Sequence, residues 1–152
     1  MAKLVFDFKE CLKQGLLKEI PPSAENAERS MGTAKEWLGE AQRNLEARAY
    51  NSCILSSYTA MFHSARAILF FDGFRERSHA CVARYLEAKY VRAGLLEQSW
   101  VNLLDRCRDL RHEDQYSIVK RSDDTEAEDT LRTAEEFVNQ IEKLLGNIRK
   151  KG

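Results

Sequence analysis

Apolar residues return along this chain in steps of four and three, the spacing that gathers side chains on one face of an α-helix. Ala27, Met31, Ala34, Leu38, Ala41 and Leu45 form a seam of the a/d type. The stretch 51–71 carries two adjacent stripes, Ile54, Tyr58, Met61, Ala65 and Ile68 beside Leu55, Phe62 and Leu69. So wide an apolar face predicts a central helix touching more than one neighbour. Val82, Tyr85, Leu86 and Tyr90 mark another helix, and Trp100, Leu103, Leu104, Cys107 and Leu110 the next. Ala127, Leu131, Ala134, Val138, Ile141, Leu145 and Ile148 mark the last.

The breaks between these stripes are chemically distinct. Residues 4–20 predict a short helix or two turns around Gly15, stopped by the only prolines, Pro21 and Pro22. Ser23 then suits the N-cap of the first long helix. Gly32 and Gly39, one heptad apart beside the seam, cost helix stability and predict a close helix neighbour there. Gly73 ends the central helix as a left-handed cap. The following helix begins near Ser78 and ends at Gly94. Residues 112–124 are polar and predict a loop, and Thr125 with Glu128 makes a capping box for the last helix. β-Branched residues nowhere alternate with polar ones, so no strand is expected. The expected fold is all-α: an antiparallel up-and-down bundle of four long helices plus a short N-terminal helix, one domain over residues 1–152.

A chain of 152 residues buries a core without staples. Its 43% hydrophobic and 32% charged residues are those of an ordinary globule, not a disordered chain. Lysine plus arginine equals aspartate plus glutamate, which argues against sequence-blind wrapping of long nucleic acid and leaves room for a local basic pocket. The N-terminus mixes Asp7, Lys9 and Glu10 with apolar residues, unlike a signal peptide, and no apolar run is long enough to span a membrane. A cytoplasmic protein is expected. Cys11, Cys53, Cys81 and Cys107 form no C-x-x-C pair and lie within or beside apolar stripes, so buried reduced thiols are expected.

Metal and cofactor chemistry find no support. His63, His79 and His112 share no ligand spacing, and no glycine-rich phosphate loop or nucleophile elbow occurs. The run from Asp105 to His112 is more informative. On a helical wheel Arg111 falls in the sector of Trp100, Leu103, Leu104, Cys107 and Leu110, at the C-terminal end of its predicted helix. A guanidinium on a buried stripe needs acceptors; it is a phosphate or carboxylate clamp, or else a structural ion pair. Arg108 and His112 share a face, with Asp105 and Asp109 within pairing reach. Arg75, Arg77 and His79 form a second basic group, with His79 in the first turn after Ser78, where free N–H groups favour an anion.

Several of these residues carry a family resemblance. The run 57–69, with Tyr58, Ala60, Met61, Phe62 and His63, resembles the second helix of HEPN domains, the "higher eukaryotes and prokaryotes nucleotide-binding" family. Gly73-Phe74-Arg75, Ser78-His79, Gly15-Leu16-Leu17, Gly94 after Tyr90-Val91, and Arg111 with Tyr116 fit the same pattern over about 13–145. The resemblance implies a helical bundle that pairs as a homodimer and acts beside a minimal nucleotidyltransferase partner, in a toxin–antitoxin or defence-type system. Active relatives are metal-independent ribonucleases with an R-x(4–6)-H motif, the arginine stabilising phosphate charge and the histidine moving protons.

Here Arg106 and His112 satisfy the motif spacing, yet on one continuous helix they point about 120° apart. Aligned to the family pattern, Arg111 is the motif arginine, and the histidine position falls on Tyr116, a poor base at neutral pH. Two functions follow from the resemblance. One is a ribonuclease centred on Arg106 or Arg111 with His112. The other, preferred here, is a non-catalytic module binding RNA, a nucleotide or a protein partner through Arg77, His79, Arg108 and Tyr116 beside Arg111.

Overall fold

The computed structural model describes residues 6–116 and 122–151, without the side chains of 113–116. Four long helices dominate it: α2 (Ala24–Glu46), α3 (Tyr50–Asp72), α5 (Gln98–Tyr116) and α6 (Asp124–Lys151). A short α1 (Phe8–Lys13) precedes them, and α4 (His79–Leu86), extended by a π-helical turn (Glu87–Val91), links α3 to α5. The all-α bundle expected from the stripes is the fold observed.

The central position of α3 follows from its sequence. Thirteen of its 23 residues are buried, among them Cys53, Ile54, Tyr58, Met61, Phe62, Ala65, Ile68 and Leu69. It packs on α2, α4, α5 and α6, and α2 and α6 also meet each other. The facing stripes are those read above: Ala27, Met31, Ala34 and Ala41 on α2, and Leu131, Ala134, Phe137, Val138, Ile141 and Leu145 on α6. Alanines on the α2 seam bring its backbone close to α3. Gly32 and Gly39 do not: a methyl added at Gly32 meets nothing within 4 Å, and one at Gly39 meets only Arg43 of the same helix. The close neighbour expected at these glycines is absent, because the seam that packs is the alanine one beside them.

Two strands were not foreseen. β1 (Leu17–Glu19) and β2 (Phe74–Glu76) pair antiparallel, with Leu17 opposite Glu76, Lys18 opposite Arg75 and Glu19 opposite Phe74. Three residues are too few to display alternation. What sets the pair up is the punctuation around it. Gly15 (φ 70°) turns the chain out of α1, and Gly73 (φ 93°) turns it out of α3. Gly73 is also a close-approach residue, because an added Cβ would stand 2.8 Å from the Ile20 carbonyl oxygen and 2.9 Å from Pro22 Cγ. The Ile20 N–H donates to the Gly73 carbonyl and the Ser23 N–H to that of Phe70, so the Pro21-Pro22 segment is strapped across the end of α3. The helix expected over 4–20 is thus limited to Phe8–Lys13.

Other boundaries also differ from expectation. Ser23 caps α2 as expected, its hydroxyl accepting from the Asn26 N–H. Ser78 stands at the N-cap of α4 with extended backbone, but its side chain makes no capping bond. The helix over Trp100 and Leu104 does not stop at Arg111; it runs to Tyr116, so the first residues of the expected 112–124 loop are helical. Polar residues there continue a helix whose buried stripe has already ended. Residues 117–121 of that expected loop lie outside the described residues. The cap of α6 is Asp123, whose carboxylate accepts from the Glu126 N–H, in place of the expected Thr125–Glu128 box.

The cysteines divide into two kinds. Cys53 and Cys107 are free and buried, as expected. Cys11 and Cys81 instead form a disulfide that ties α1 to α4. Both are fully buried on stripes that face each other, a relationship that 70 residues of separation conceal in the sequence. Among the described residues no helix is long and apolar enough to cross a membrane.

Candidate functional site

The residue that organises the site is Tyr58, in the middle of the central helix. Its ring is almost fully buried, yet a phenol so enclosed needs a partner for its hydroxyl. The hydroxyl lies 3.0 Å from His79 Nδ1, a hydrogen bond whose direction follows the imidazole tautomer. β2 and the turn after it deliver His79 to this point, at the first residue of α4. The His79 ring stacks on Phe62, with centroids 3.9 Å apart and planes 16° from parallel. Tyr58 and Phe62 are four residues apart on α3 and stack in turn at 6.3 Å. The three rings therefore form one stacked array, with Tyr58 and Phe62 buried and His79 exposed.

Arg111 lies against this array from α5. Its guanidinium carbon stands 5.0 Å from the Tyr58 ring centroid, a cation–π contact. The side chain is half-buried, and its Nε is enclosed with no hydrogen-bond acceptor. Among the described residues no carboxylate pairs with it. Its neighbour Arg108 is different. Arg108 Nη1 bonds Asp105 at 2.9 Å, and Asp105 also takes Arg84. Asp109 stands 3.9 Å from Arg108 as well, so the expected pairing of that charged face is observed. One arginine is neutralised within the chain, and the other is directed at a ring.

The electrostatics follow from this arrangement. Burial pushes the Tyr58 phenol up to about 12, with Arg111 and Arg108 opposing the shift, so the ring remains a neutral π-face and the hydroxyl keeps its proton. Burial, with Arg111, Arg108, Arg66 and His63 close by, holds His79 below its ordinary value. Burial and Arg66 do the same to His63. Neutral imidazoles beside an arginine that pairs with no carboxylate among the described residues leave a positive centre next to the exposed His79 ring. That is the chemistry of a phosphate contact beside a stacking surface.

The other expected site residues lie elsewhere. Arg106 is exposed on the far side of α5, where with Asp109, Leu110, Glu126, Asp129 and Thr130 it lines a cleft of about 430 Å³ against α6. His112 is exposed. Because α5 is unbroken between them, Arg106 and His112 do not converge within one chain. Arg111 lies within α5, five residues before its last residue, and not at the C-terminal end expected for it. Arg77 is exposed between β2 and α4 and donates its backbone N–H to the Leu16 carbonyl, its side chain standing outside the ring array. Tyr116 closes α5, and its side chain lies outside the described residues.

In the sequence Tyr58 and Phe62 present themselves as core stripe and motif alone, and Arg66 as part of the motif alone. The available signal was a phenol four residues before another ring, on a stripe otherwise aliphatic.

Comparison with known proteins adds a family. The family profile described as "HEPN domain" matches residues 27–144, which include every residue of the ring array and Arg111. A protein of Methanocaldococcus jannaschii named "Putative toxin MJ0605" is 29% identical over 140 residues, covering 92% of this chain and 98% of its own. A "UPF0332 protein" of Archaeoglobus fulgidus is 28% identical over 76% of this chain and 92% of its own. Another of Thermotoga maritima is 24% identical over 77% of this chain and 89% of its own.

Proposed function

The chain belongs to the HEPN domain family, and from that premise we propose that it is an RNA-binding module of the toxin type. It works as a homodimer, with a minimal nucleotidyltransferase as its partner. The observation that carries RNA binding is Arg111, a half-buried guanidinium held over Tyr58 that, among the described residues, pairs with no carboxylate and whose Nε has no acceptor. A charge so placed is incompletely satisfied by the fold, and a phosphate oxygen completes it with the fork geometry that arginine offers. The exposed ring of His79, backed by the buried Phe62, supports single-stranded RNA as the ligand, because bases stack on such a ring whatever their sequence. The name of the Methanocaldococcus relative supports the toxin role, and with it a partner that restrains the activity.

Binding of a short single-stranded RNA, read by fluorescence anisotropy, tests this reading. Wild-type protein binds, and Arg111→Ala weakens binding without unfolding the chain. Unchanged binding by that variant contradicts it.

A second reading, metal-independent RNA cleavage, is favoured by one observation. His79 is held neutral next to Arg111, a pairing of proton acceptor and phosphate-binding cation that needs no metal. In a homodimer His112 of one chain adds a further candidate beside Arg111 of the other. Incubating RNA with the protein in chelator separates the two readings: intact RNA supports the binding module, and Arg111-dependent fragments support the nuclease.

A further inference from the structure

Apart from the Arg111 site, a basic cleft of about 330 Å³ opens where α2, α3 and β2 meet beside Phe70. Its wall holds three arginines, Arg29, Arg66 and Arg75, with His63, Thr33 and Asn26, and includes no carboxylate. Each arginine arrives from a different element. Arg29 comes from α2, Arg66 from α3, and Arg75 from the middle of β2.

Their internal partners leave the cleft positive. Arg66 Nε stands 2.8 Å from Glu76, whose carboxylate is buried behind β2, while its guanidinium carbon lies 4.9 Å from the Phe70 centroid and 5.7 Å from that of Phe62. Among the described residues Arg29 pairs only with Glu25, four residues earlier, and both side chains are about three-quarters exposed. An exposed pair of that kind holds its arginine weakly and releases it to a better acceptor. Arg75 is exposed and forms no ion pair among the described residues.

The cleft is continuous with the first site. His63, in its wall, meets Phe62 edge-on at 5.6 Å, and Phe62 carries His79 on its face. From Arg66 the contacts run through Phe62 and Tyr58 to Arg111, each step 5.0–6.3 Å. Two cationic centres thus stand on either side of a ring array in which Tyr58 and Phe62 are buried and His79 is exposed. A single strand of nucleic acid has the same alternation, phosphates separated by flat bases.

We infer that this cleft is a second phosphate subsite: Arg29, Arg66 and Arg75 take one phosphate group of a bound strand while Arg111 takes another, with the exposed His79 ring between them. The assignment rests on the RNA-binding reading of the Arg111 site and extends it along the strand. The phosphate is either an internal diester or a terminal monoester, and both suit a three-arginine cleft.

The test uses single-stranded RNAs of about ten nucleotides carrying either a 5′-phosphate or a 5′-hydroxyl. Arg66 is unsuitable for substitution, since its loss would leave the Glu76 carboxylate buried without its partner. The double variant Arg29→Ala/Arg75→Ala removes two exposed cations and should keep the wild-type melting temperature. It should bind roughly tenfold more weakly than wild type. Equal loss for both RNAs supports the subsite as one for an internal diester. Loss confined to the phosphorylated RNA supports it as one for a terminal monoester. Wild-type affinity of the double variant for both RNAs, with Arg111→Ala impaired, overturns the subsite and leaves the RNA-binding reading standing. Wild-type protein that binds neither RNA overturns both.

Discussion

The Arg111 guanidinium rests 5.0 Å from the centre of the Tyr58 ring, joining the second half of the bundle to its central helix through a charge laid on a π-face. Arg111 and Tyr58 belong to α5 and α3, which touch along a narrow seam. The contact is worth about 0.5–2 kcal/mol by itself. That is too little to explain a buried Nε without an acceptor, and it leaves the cation open to a ligand.

Tyr58→Phe separates the two functions of this residue. The ring remains for Arg111, while the 3.0 Å bond to His79 is lost. The expected outcome is a stability loss of about 1 kcal/mol by chemical denaturation. RNA binding should fall less than it does for Arg111→Ala. Tyr58→Ala, which removes the ring, should match or exceed the binding loss of Arg111→Ala.

Acidification should destabilise the fold through its neutral histidines. His79 and His63 are both held below their ordinary value, chiefly by burial. A base with a lower pKa when folded binds fewer protons in the native state than in the unfolded chain. Its contribution is therefore complete above the unfolded value of about 6.5 and declines as the pH falls toward the folded one. Denaturation midpoints should drop on acidification through that window, and His79→Gln should flatten the slope. In an NMR titration, Arg111→Ala should move the His79 midpoint upward. A wild-type His79 titrating at or above about 6.5 would contradict the arrangement.

Gly73 and Gly32 should respond to alanine in opposite directions. At Gly73 the backbone is left-handed and an added Cβ collides with the Ile20 carbonyl oxygen and Pro22, so Gly73→Ala should cost at least about 1–3 kcal/mol. At Gly32 the helix is regular and the space is open, so Gly32→Ala should stabilise by about 0.5–1 kcal/mol. Urea denaturation of the two variants checks both signs.

Assembly is testable in the same variants. Sedimentation at tens of micromolar should show a homodimer, with cross-linking placing the α5 segments of the two chains near each other. A monomer throughout that range would contradict the paired reading and leave His112 without a route to a partner's Arg111.

The long helices were legible because each carries its own apolar stripe. Tyr58, Ile68, Leu104 and Ile141 sit in the core that their spacing assigned them. What escaped was structure whose cause lies outside the segment. Leu17–Glu19 is a strand because Phe74–Glu76 lies beside it, and Cys11 is bonded because Cys81 faces it. The helix α5 runs on to Tyr116, past Leu110, the last apolar residue of its stripe, because backbone hydrogen bonding can continue a helix beyond its apolar pattern. The site was legible in part. The wheel placed Arg111 on the packed face of its helix, and the resemblance drew attention to His79. It could not show that Tyr58 joins them, because that junction is a contact among three elements.

Binding and folding measured together on Arg111→Ala test the central claim most directly. If Arg111 is a phosphate contact, single-stranded RNA affinity should fall at least about tenfold, equivalent to about 1.4 kcal/mol, with the melting temperature nearly unchanged. A variant that melts markedly lower while its folded fraction binds RNA like wild type would make Arg111 a structural residue and contradict the account.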